Sequence, residues 1–279
     1  MKVFLAVFDG FRMAKSTLEY SLQLARSANA HLTGLFLDEF IYKSYNEQKV
    51  LSSYDNPEQV MKELDAKDKL KRDESVKKFQ RSAEKAGISY SVTRTRGIAL
   101  QELKQQSLFA DMIIINKNET FTKQKESTPT RFLKETISGV SCPILVTPQS
   151  FRPVDKTILL YDGGPTSIQA LKMYSYIFDT DPFPAEVLTI KESLLSSAHL
   201  PNNKNMRKYI KIRFPGAGVT VEKGNPEEII PGYLRNHQEN ELVVLGAYRR
   251  SELSRWFRTS MADILMKELN TPLFIAHNI

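Results

Sequence analysis

An internal repeat constrains the fold of this 279-residue chain more than any other feature of its sequence. Two apolar segments each end in an Asp-Gly pair, which begins at Asp9 in one segment and at Asp162 in the other, and a helical pattern follows both. Further along, residues 111–116 correspond to residues 241–246. The copies lie about 130 to 150 residues apart, far beyond the spacing of solenoid repeats, so we expect a duplicated domain. The larger offset of the first pair predicts an insertion around residues 40–75 of the first copy.

Each copy alternates strands with helices, which predicts an α/β fold. The strands are continuous apolar runs, as expected for a parallel sheet that helices cover on both faces. We therefore predict two tandem doubly wound domains, each a five-stranded parallel sheet flanked by helices, at residues 1–150 and 154–279. The predicted strands are 2–8, 31–37, 88–94, 111–116 and 143–147, then 156–161, 185–190, 218–222, 241–246 and 272–276. Residues 57–86 are predicted to form a long, solvated helix with one packed face.

The composition excludes several classes of protein. A single cysteine, Cys142, excludes an internal disulfide framework and a multi-cysteine metal site, and the four histidines lack metal-ligand spacing. No apolar run approaches the roughly 18 residues of a membrane helix, and the N-terminus is interpreted as a buried strand, not a cleaved signal. We expect a cytoplasmic protein without a metal or a membrane. The net charge of +7 favours anionic partners such as phosphates.

The Asp-Gly pairs follow the first strand of each copy, where open α/β sheets bind their ligands. The carboxylates of Asp9 and Asp162 are therefore candidates to accept hydrogen bonds from a ligand. The same residues also suit a helix cap or a tight turn, and the sequence leaves both roles open.

The loop after the fourth strand of the second copy is the other candidate site. It begins at Gly246, contains Arg249 and Arg250, and leads through Thr259 and Ser260 into a helix. Free backbone N–H groups at that helix start would suit an anion, and the arginines would add positive charge. The alternative is a solvated basic loop with an ordinary helix cap. The corresponding loop of the first copy is polar and has no glycine.

These motifs together resemble the universal stress protein family. The resemblance consists of a first strand ending in Asp, a fourth-strand loop spaced Gly-x₂-Gly-x₉-Gly-Ser, and a final strand of Pro followed by apolar residues. It covers nearly the whole chain as two tandem copies. It implies that the two sheets pair through their fifth strands, as an intramolecular pseudo-dimer, and it leaves room for a further homodimer.

The resemblance also implies an ATP site, with the strand-one Asp near the adenine and the glycine loop around the ribose and phosphates. The second copy keeps Asp162, Gly246 and Ser260 of that pattern, with Arg249 and Thr259 in place of the second and third glycines. Because glycines let backbone N–H groups approach phosphates closely, this site is a degraded one. ATP with Mg²⁺ remains a candidate ligand for it.

The first copy departs further from the family pattern. It keeps Asp9, but Asn116 and Glu119 replace the first two glycines, and Thr130-Arg131 replaces the Gly-Ser pair. A glutamate near a triphosphate would repel it, so we expect no ATP in the first copy.

Our first hypothesis is a non-enzymatic stress-response regulatory or scaffold protein with a degraded nucleotide site, no cofactor and an unknown protein partner. The alternative is an ATP-binding, slowly hydrolysing stress sensor that uses the second domain. An enzyme is disfavoured because the chain lacks a G-x-S-x-G elbow and a Walker loop, and the resemblance of residues 162–167 to an ATP pyrophosphatase loop is weak. Nucleic-acid binding is not expected, since no recognition module is present.

Overall fold

The computed structural model describes residues 1–39, 42–122, 124–179, 183–193, 195–236, 240–246 and 260–276. Within these residues the chain forms ten strands and nine helices. The strands are β1 (Val3–Phe8), β2 (His31–Glu39), β3 (Tyr90–Gly97), β4 (Met112–Asn116), β5 (Ile144–Thr147), β6 (Lys156–Leu160), β7 (Ala185–Lys191), β8 (Gly218–Lys223), β9 (Glu241–Gly246) and β10 (Leu273–Ala276). The helices are α1 (Lys15–Ser27), α2 (Glu47–Ser53), α3 (Pro57–Ala86), α4 (Ala99–Ser107), α5 (Arg131–Gly139), α6 (Pro165–Ile177), α7 (Asn203–Arg213), α8 (Pro226–Asn236) and α9 (Met261–Glu268).

All ten strands lie in one sheet, in the order β3-β2-β1-β4-β5-β10-β9-β6-β7-β8. Every neighbouring pair is parallel except β5 and β10, which run antiparallel with Leu145 opposite Phe274. The strands β1–β5 form one half of the sheet and β6–β10 the other, with the same internal order. The predicted α/β fold, with two parallel five-stranded sheets paired through their fifth strands, is confirmed. The domain boundaries at residues 1–150 and 154–279 stay a prediction.

Helices cover both faces of this sheet, so central strands such as β1, β4 and β5 are apolar on both sides, while the edge strands β3 and β8 are partly exposed. In β1, Phe4, Ala6 and Phe8 belong to the apolar core on one face, whereas Leu5 and Val7 belong to the core on the other. Each of these two cores contains residues from both halves of the sheet. The alternation of side chains along a strand thus explains why the strands read as continuous apolar runs.

Polar contacts tie the two halves together beyond the β5–β10 pairing. The Nζ atom of Lys117, just after β4, donates hydrogen bonds to the carbonyl oxygens of Met266 (2.8 Å) and Leu269 (3.0 Å) at the end of α9. A cation at this place also suits the negative end of the helix dipole. On the other face, the side-chain amide of Gln23 in α1 exchanges two hydrogen bonds with the backbone of Val154. The segment between the halves is therefore fixed to α1.

The halves differ most in the connection after their second strand. Between β2 and β3 the chain forms α2 and α3, whereas between β7 and β8 it forms α7. The helix α3 begins at Pro57, where the Asn56 side chain caps the first turn, and it ends at Gly87, whose φ of 65° is left-handed.

The packing of α3 differs along its length. Phe79 and Ala83 are fully buried in the core, but Leu70 is 63% exposed. The predicted packed face is thus present at Val76, Phe79 and Ala83 and half-buried at Val60 and Leu64, whereas the prediction is wrong for Leu70. Among the described helices, none is long and apolar enough to cross a bilayer.

Candidate functional site

A cavity of about 520 Å³ lies at the carboxyl ends of the second-half strands, where α6 and α9 begin. This volume is in the usual range of small-molecule sites. Its apolar walls include Leu160, Leu188, Ile190, Ile230, Leu245 and Ile275. Its polar lining includes Asp162, Thr166, Ser167, Glu192 and Ser260. The cavity therefore combines an apolar interior with two carboxylates and two helix starts.

Asp162 has a structural role as well as a place in the cavity lining. Its Oδ1 atom accepts hydrogen bonds from the backbone N–H of Gly164 (2.7 Å) and from the Ser167 hydroxyl (2.6 Å). These bonds fix the turn from β6 into the first turn of α6. Of the two roles that the sequence left open for Asp162, the role at the helix start is therefore observed, and it uses one oxygen of the carboxylate.

Gly246, the last residue of β9, also lines the cavity. A Cβ atom at this position would lie 2.8 Å from both the backbone carbon and the oxygen of Thr166 in α6. Since backbone atoms cannot move aside as the end of a side chain can, even alanine would force α6 away from β9. The close packing of this helix start on the strand explains the glycine.

The third predicted residue, Ser260, is the N-cap of α9. Its hydroxyl oxygen accepts a hydrogen bond from the backbone N–H of Asp263 at 3.0 Å. With Met261 and Ala262 of the first turn it lines the cavity, opposite the start of α6. The positive ends of two helix dipoles therefore lie at one cavity. Three further candidate residues, Arg249, Arg250 and Thr259, lie outside the described residues.

Sequence reasoning missed three contributors to this region. Ile137 of α5 lines the cavity although it belongs to the other half of the sheet, and Glu192 follows β7. The hydroxyl of Tyr161 donates to the carbonyl of Pro201 (3.2 Å), which holds the segment after β7 against the end of β6. Only the pairing of the fifth strands brings Ile137 here, so no local sequence signal could have indicated it.

In the first half, the residue equivalent to Asp162 is a buried carboxylate. Asp9 is 3% exposed, and its Oδ1 atom accepts a hydrogen bond from the backbone N–H of Phe11 at 2.8 Å. Burial raises the pKa of Asp9, while the backbone N–H of Phe11, the hydroxyl of Tyr42 and the charges of Arg72 and Arg12 act in the opposite direction. The space beside this carboxylate contains the Tyr42 side chain, itself 5% exposed.

Glu119 forms a second buried carboxyl group next to Asp9. Burial, and after it the negative charge of Asp9, raise the pKa of Glu119 to about 8, and backbone N–H groups, including that of Asp9, oppose this only in part. At neutral pH the side chain is therefore mostly uncharged. The exclusion of a triphosphate from this place therefore cannot rest on the charge of Glu119, as the sequence suggested. It rests on the space beside Asp9, which the Tyr42 side chain occupies.

The other first-copy substitutions have structural roles. The Asn116 side-chain amide donates to the hydroxyl of Ser16 and to the carbonyl of Pro148, both at 3.1 Å. Thr130 caps α5 and donates its hydroxyl hydrogen to the Glu119 carbonyl at 2.5 Å. These contacts join the end of β4 to α1 and to the segment after β5, and they join the start of α5 to the loop after β4.

The described part of the cavity lining contains carboxyl and hydroxyl groups but no nitrogen base or thiol. Among the residues described, no histidine, cysteine, lysine or arginine lines it, and no group of three or more metal-ligating side chains occurs. Cys142 is buried elsewhere, and burial raises the pKa of its thiol to about 12, as expected for an inert structural cysteine.

Comparison with known proteins places this architecture among described ones. No protein-family model matches the chain. The curated universal stress protein Slr1230 of Synechocystis sp. is 21% identical over 284 aligned residues, which cover 98% of this chain and 99% of the relative. A universal stress protein from Archaeoglobus fulgidus has a TM-score of 0.68 at 12% identity, with 99% of this chain and 98% of that chain covered. A putative universal stress protein from Pseudomonas aeruginosa has a TM-score of 0.64 at 15% identity and covers 99% and 93%.

Proposed function

We propose that this chain, a homologue of the universal stress proteins over its whole length, is a non-enzymatic stress-response regulatory protein that binds an adenine nucleotide in its second-half cavity. The observation that carries the proposal is the cavity of about 520 Å³ beside Asp162, between the starts of α6 and α9. It favours a ligand-dependent regulator over a scaffold without a ligand.

The lining matches the three chemical parts of a nucleotide. Apolar side chains such as Leu188 and Leu245 suit the faces of an aromatic base. The carboxylates of Asp162 and Glu192 suit amino and hydroxyl donors on the base and the ribose. Phosphates are best placed at the start of α9, away from the Asp162 carboxylate at the start of α6, because the first N–H groups of a helix lack partners and its dipole favours an anion there.

Binding without catalysis is the role that this lining supports. Hydrolysis of a nucleotide needs a positioned water, a base or a metal cluster. Asp162 and Ser260 hold the first turns of α6 and α9, and the described lining contains no lysine, arginine or histidine to stabilise a transferring phosphate. We therefore propose that occupancy of the cavity, and not turnover, is the signal.

The cavity proposal is tested by filling it from one strand. Ile190 lines the cavity, whereas its neighbour Lys191 on β7 does not, and adjacent strand residues point to opposite faces. We expect Ile190→Trp to weaken the binding of AMP or ATP, with or without Mg²⁺, by more than about tenfold in isothermal titration calorimetry. The matched variant Lys191→Trp should bind as the unchanged protein does. Equal binding by the two variants would contradict the assignment of the site.

The other functional expectations stay predictions. A location in the cytoplasm, a further homodimer, a protein partner and the lack of nucleic-acid binding all derive from the sequence. A pull-down in the presence and absence of nucleotide would identify the partner whose binding the cavity regulates.

A further inference from the structure

Tyr42 is a buried side chain close before α2. Its side chain is 5% exposed, whereas Ser44 and Asn46 are exposed. Its hydroxyl interacts electrostatically with the nearby Asp9 carboxylate, and its ring meets the Phe11 ring edge-on, with centroids 5.3 Å apart and planes at 84°. Tyr42 thus places an aromatic ring and a hydroxyl group beside Asp9.

Arg72 of α3 holds Tyr42 in this position. Its guanidinium lies 4.1 Å from the centroid of the Phe11 ring, and its Nη2 atom donates to the carbonyl oxygen of Tyr42 at 2.8 Å. The same side chain forms an ion pair with Asp38 near the end of β2. One arginine therefore joins the Tyr42 segment, the strand end and the Asp-Gly turn.

Two further polar contacts join α3 to the segment after Tyr42 and to Gly10. The Asp68 carboxylate accepts a hydrogen bond from the backbone N–H of Ser44 at 2.9 Å, and the Ser75 hydroxyl donates to the carbonyl of Gly10 at 2.6 Å. The apolar anchor of α3, Phe79, lies further along the helix. Because Val76, Phe79 and Ala83, the residues of α3 that belong to the core or pack against it, all lie after Arg72, the part of α3 up to Arg72 can separate locally without unpacking the core.

The surroundings of Asp162 in the second half and of Asp9 in the first half therefore differ. Asp162 lines a cavity, while Asp9 contacts a side chain supplied by the chain itself. We propose that the first half contains a second binding site, for an uncharged aromatic molecule that carries a hydrogen-bond donor, and that the chain closes this site with Tyr42 as an internal ligand. A competing ligand displaces the Tyr42 segment and releases the part of α3 up to Arg72. This inference concerns a different place from the nucleotide cavity and does not depend on it.

The chemistry of the site selects this class of ligand. Asp9 accepts a hydrogen bond from a donor, and Phe11 supplies an aromatic surface. A negatively charged ligand is disfavoured by burial next to the Asp9 carboxylate. The Arg72 cation does not offset this, since it is paired with Asp38.

The test removes the internal ligand and supplies its chemistry from solution. Tyr42→Ala is expected to lower the melting temperature, and saturating p-cresol should raise that of the variant by about 2–4 °C more than that of the unchanged protein. Toluene, which has the ring without the donor, should raise it less. Equal shifts for the variant and the unchanged protein, or equal effects of p-cresol and toluene on the variant, would overturn the proposal.

Two further variants keep the test decisive if Tyr42→Ala does not fold. Tyr54→Ala is the matched control, because Tyr54 lies between α2 and α3 but is 55% exposed, and it should show no response to p-cresol beyond that of the unchanged protein. Tyr42→Phe keeps the ring and loses only the hydroxyl. In this variant we expect amide hydrogen exchange of residues 57–72 to accelerate at least about tenfold while residues 76–86 stay protected. Unchanged exchange in residues 57–72 would refute the release of this segment.

Discussion

Replacement of Glu119 by glutamine is expected to stabilise the protein at alkaline pH and to remove most of the pH dependence of its stability between about pH 4.5 and pH 8. In the folded chain burial and the charge of Asp9 raise the pKa of Glu119 to about 8, from an ordinary value of 4.5. The folded state therefore keeps a proton that the unfolded state has already lost. Stability falls as the pH rises through this window and levels off above it. Across this window the free energy of unfolding falls by at most about 3–5 kcal/mol.

Urea unfolding at about pH 5 and about pH 9 measures this effect. Glu119→Gln should show a much smaller difference between the two conditions, with a remainder from Asp9, whose pKa burial also raises. The exposed Glu74 on α3 provides the control variant Glu74→Gln, which should keep the full difference. A Glu119→Gln protein with an unchanged pH dependence would show that Glu119 is ionised in the folded state at neutral pH.

Replacement of Phe79 by alanine is expected to lower the free energy of unfolding by about 3–5 kcal/mol. Phe79 is fully buried, and its ring centroid lies 5.8 Å from that of Phe8, 6.1 Å from that of Phe36 and 6.0 Å from that of Tyr90. It is the apolar anchor of α3 on the sheet. Its loss leaves a cavity among rings that cannot collapse freely.

A second substitution tests how closely the Phe79 ring packs on the strand β2. A Cβ atom on Gly34 of β2 would lie 2.8 Å from the Phe79 ring. Gly34→Ala should therefore destabilise the unchanged protein but be neutral or stabilising when Phe79 is already alanine. Denaturant unfolding of the four proteins in this double-mutant cycle gives the coupling. Additive effects would contradict the described packing.

The sequence predicted the regular elements well where their signals are local. The strand β9 has the predicted bounds, because residues 242–245 form an uninterrupted apolar run between Glu241 and Gly246. The bounds of α3 are also as predicted, since Asn56 and Pro57 start the helix and Gly87 ends it. The helix α2 was not predicted, because its seven residues are mostly polar and only Val50 is buried.

The site could be predicted only in part. Asp162, Gly246 and Ser260 do meet at one cavity, since the carboxyl ends of parallel strands gather at one edge of the sheet. The roles of Tyr42 and Ile137 could not be foreseen. One comes from the connection after β2 and the other from the opposite half of the sheet, so both depend on tertiary packing that no local pattern encodes.

The stoichiometry of nucleotide binding tests the account most directly. The second half has a cavity beside Asp162, whereas Tyr42 fills the space beside Asp9 in the first half. Native mass spectrometry of the chain titrated with AMP and with ATP and Mg²⁺ should therefore show one nucleotide per chain at saturation. No bound nucleotide would contradict the proposed ligand of the second half, and two per chain would contradict the closed first half.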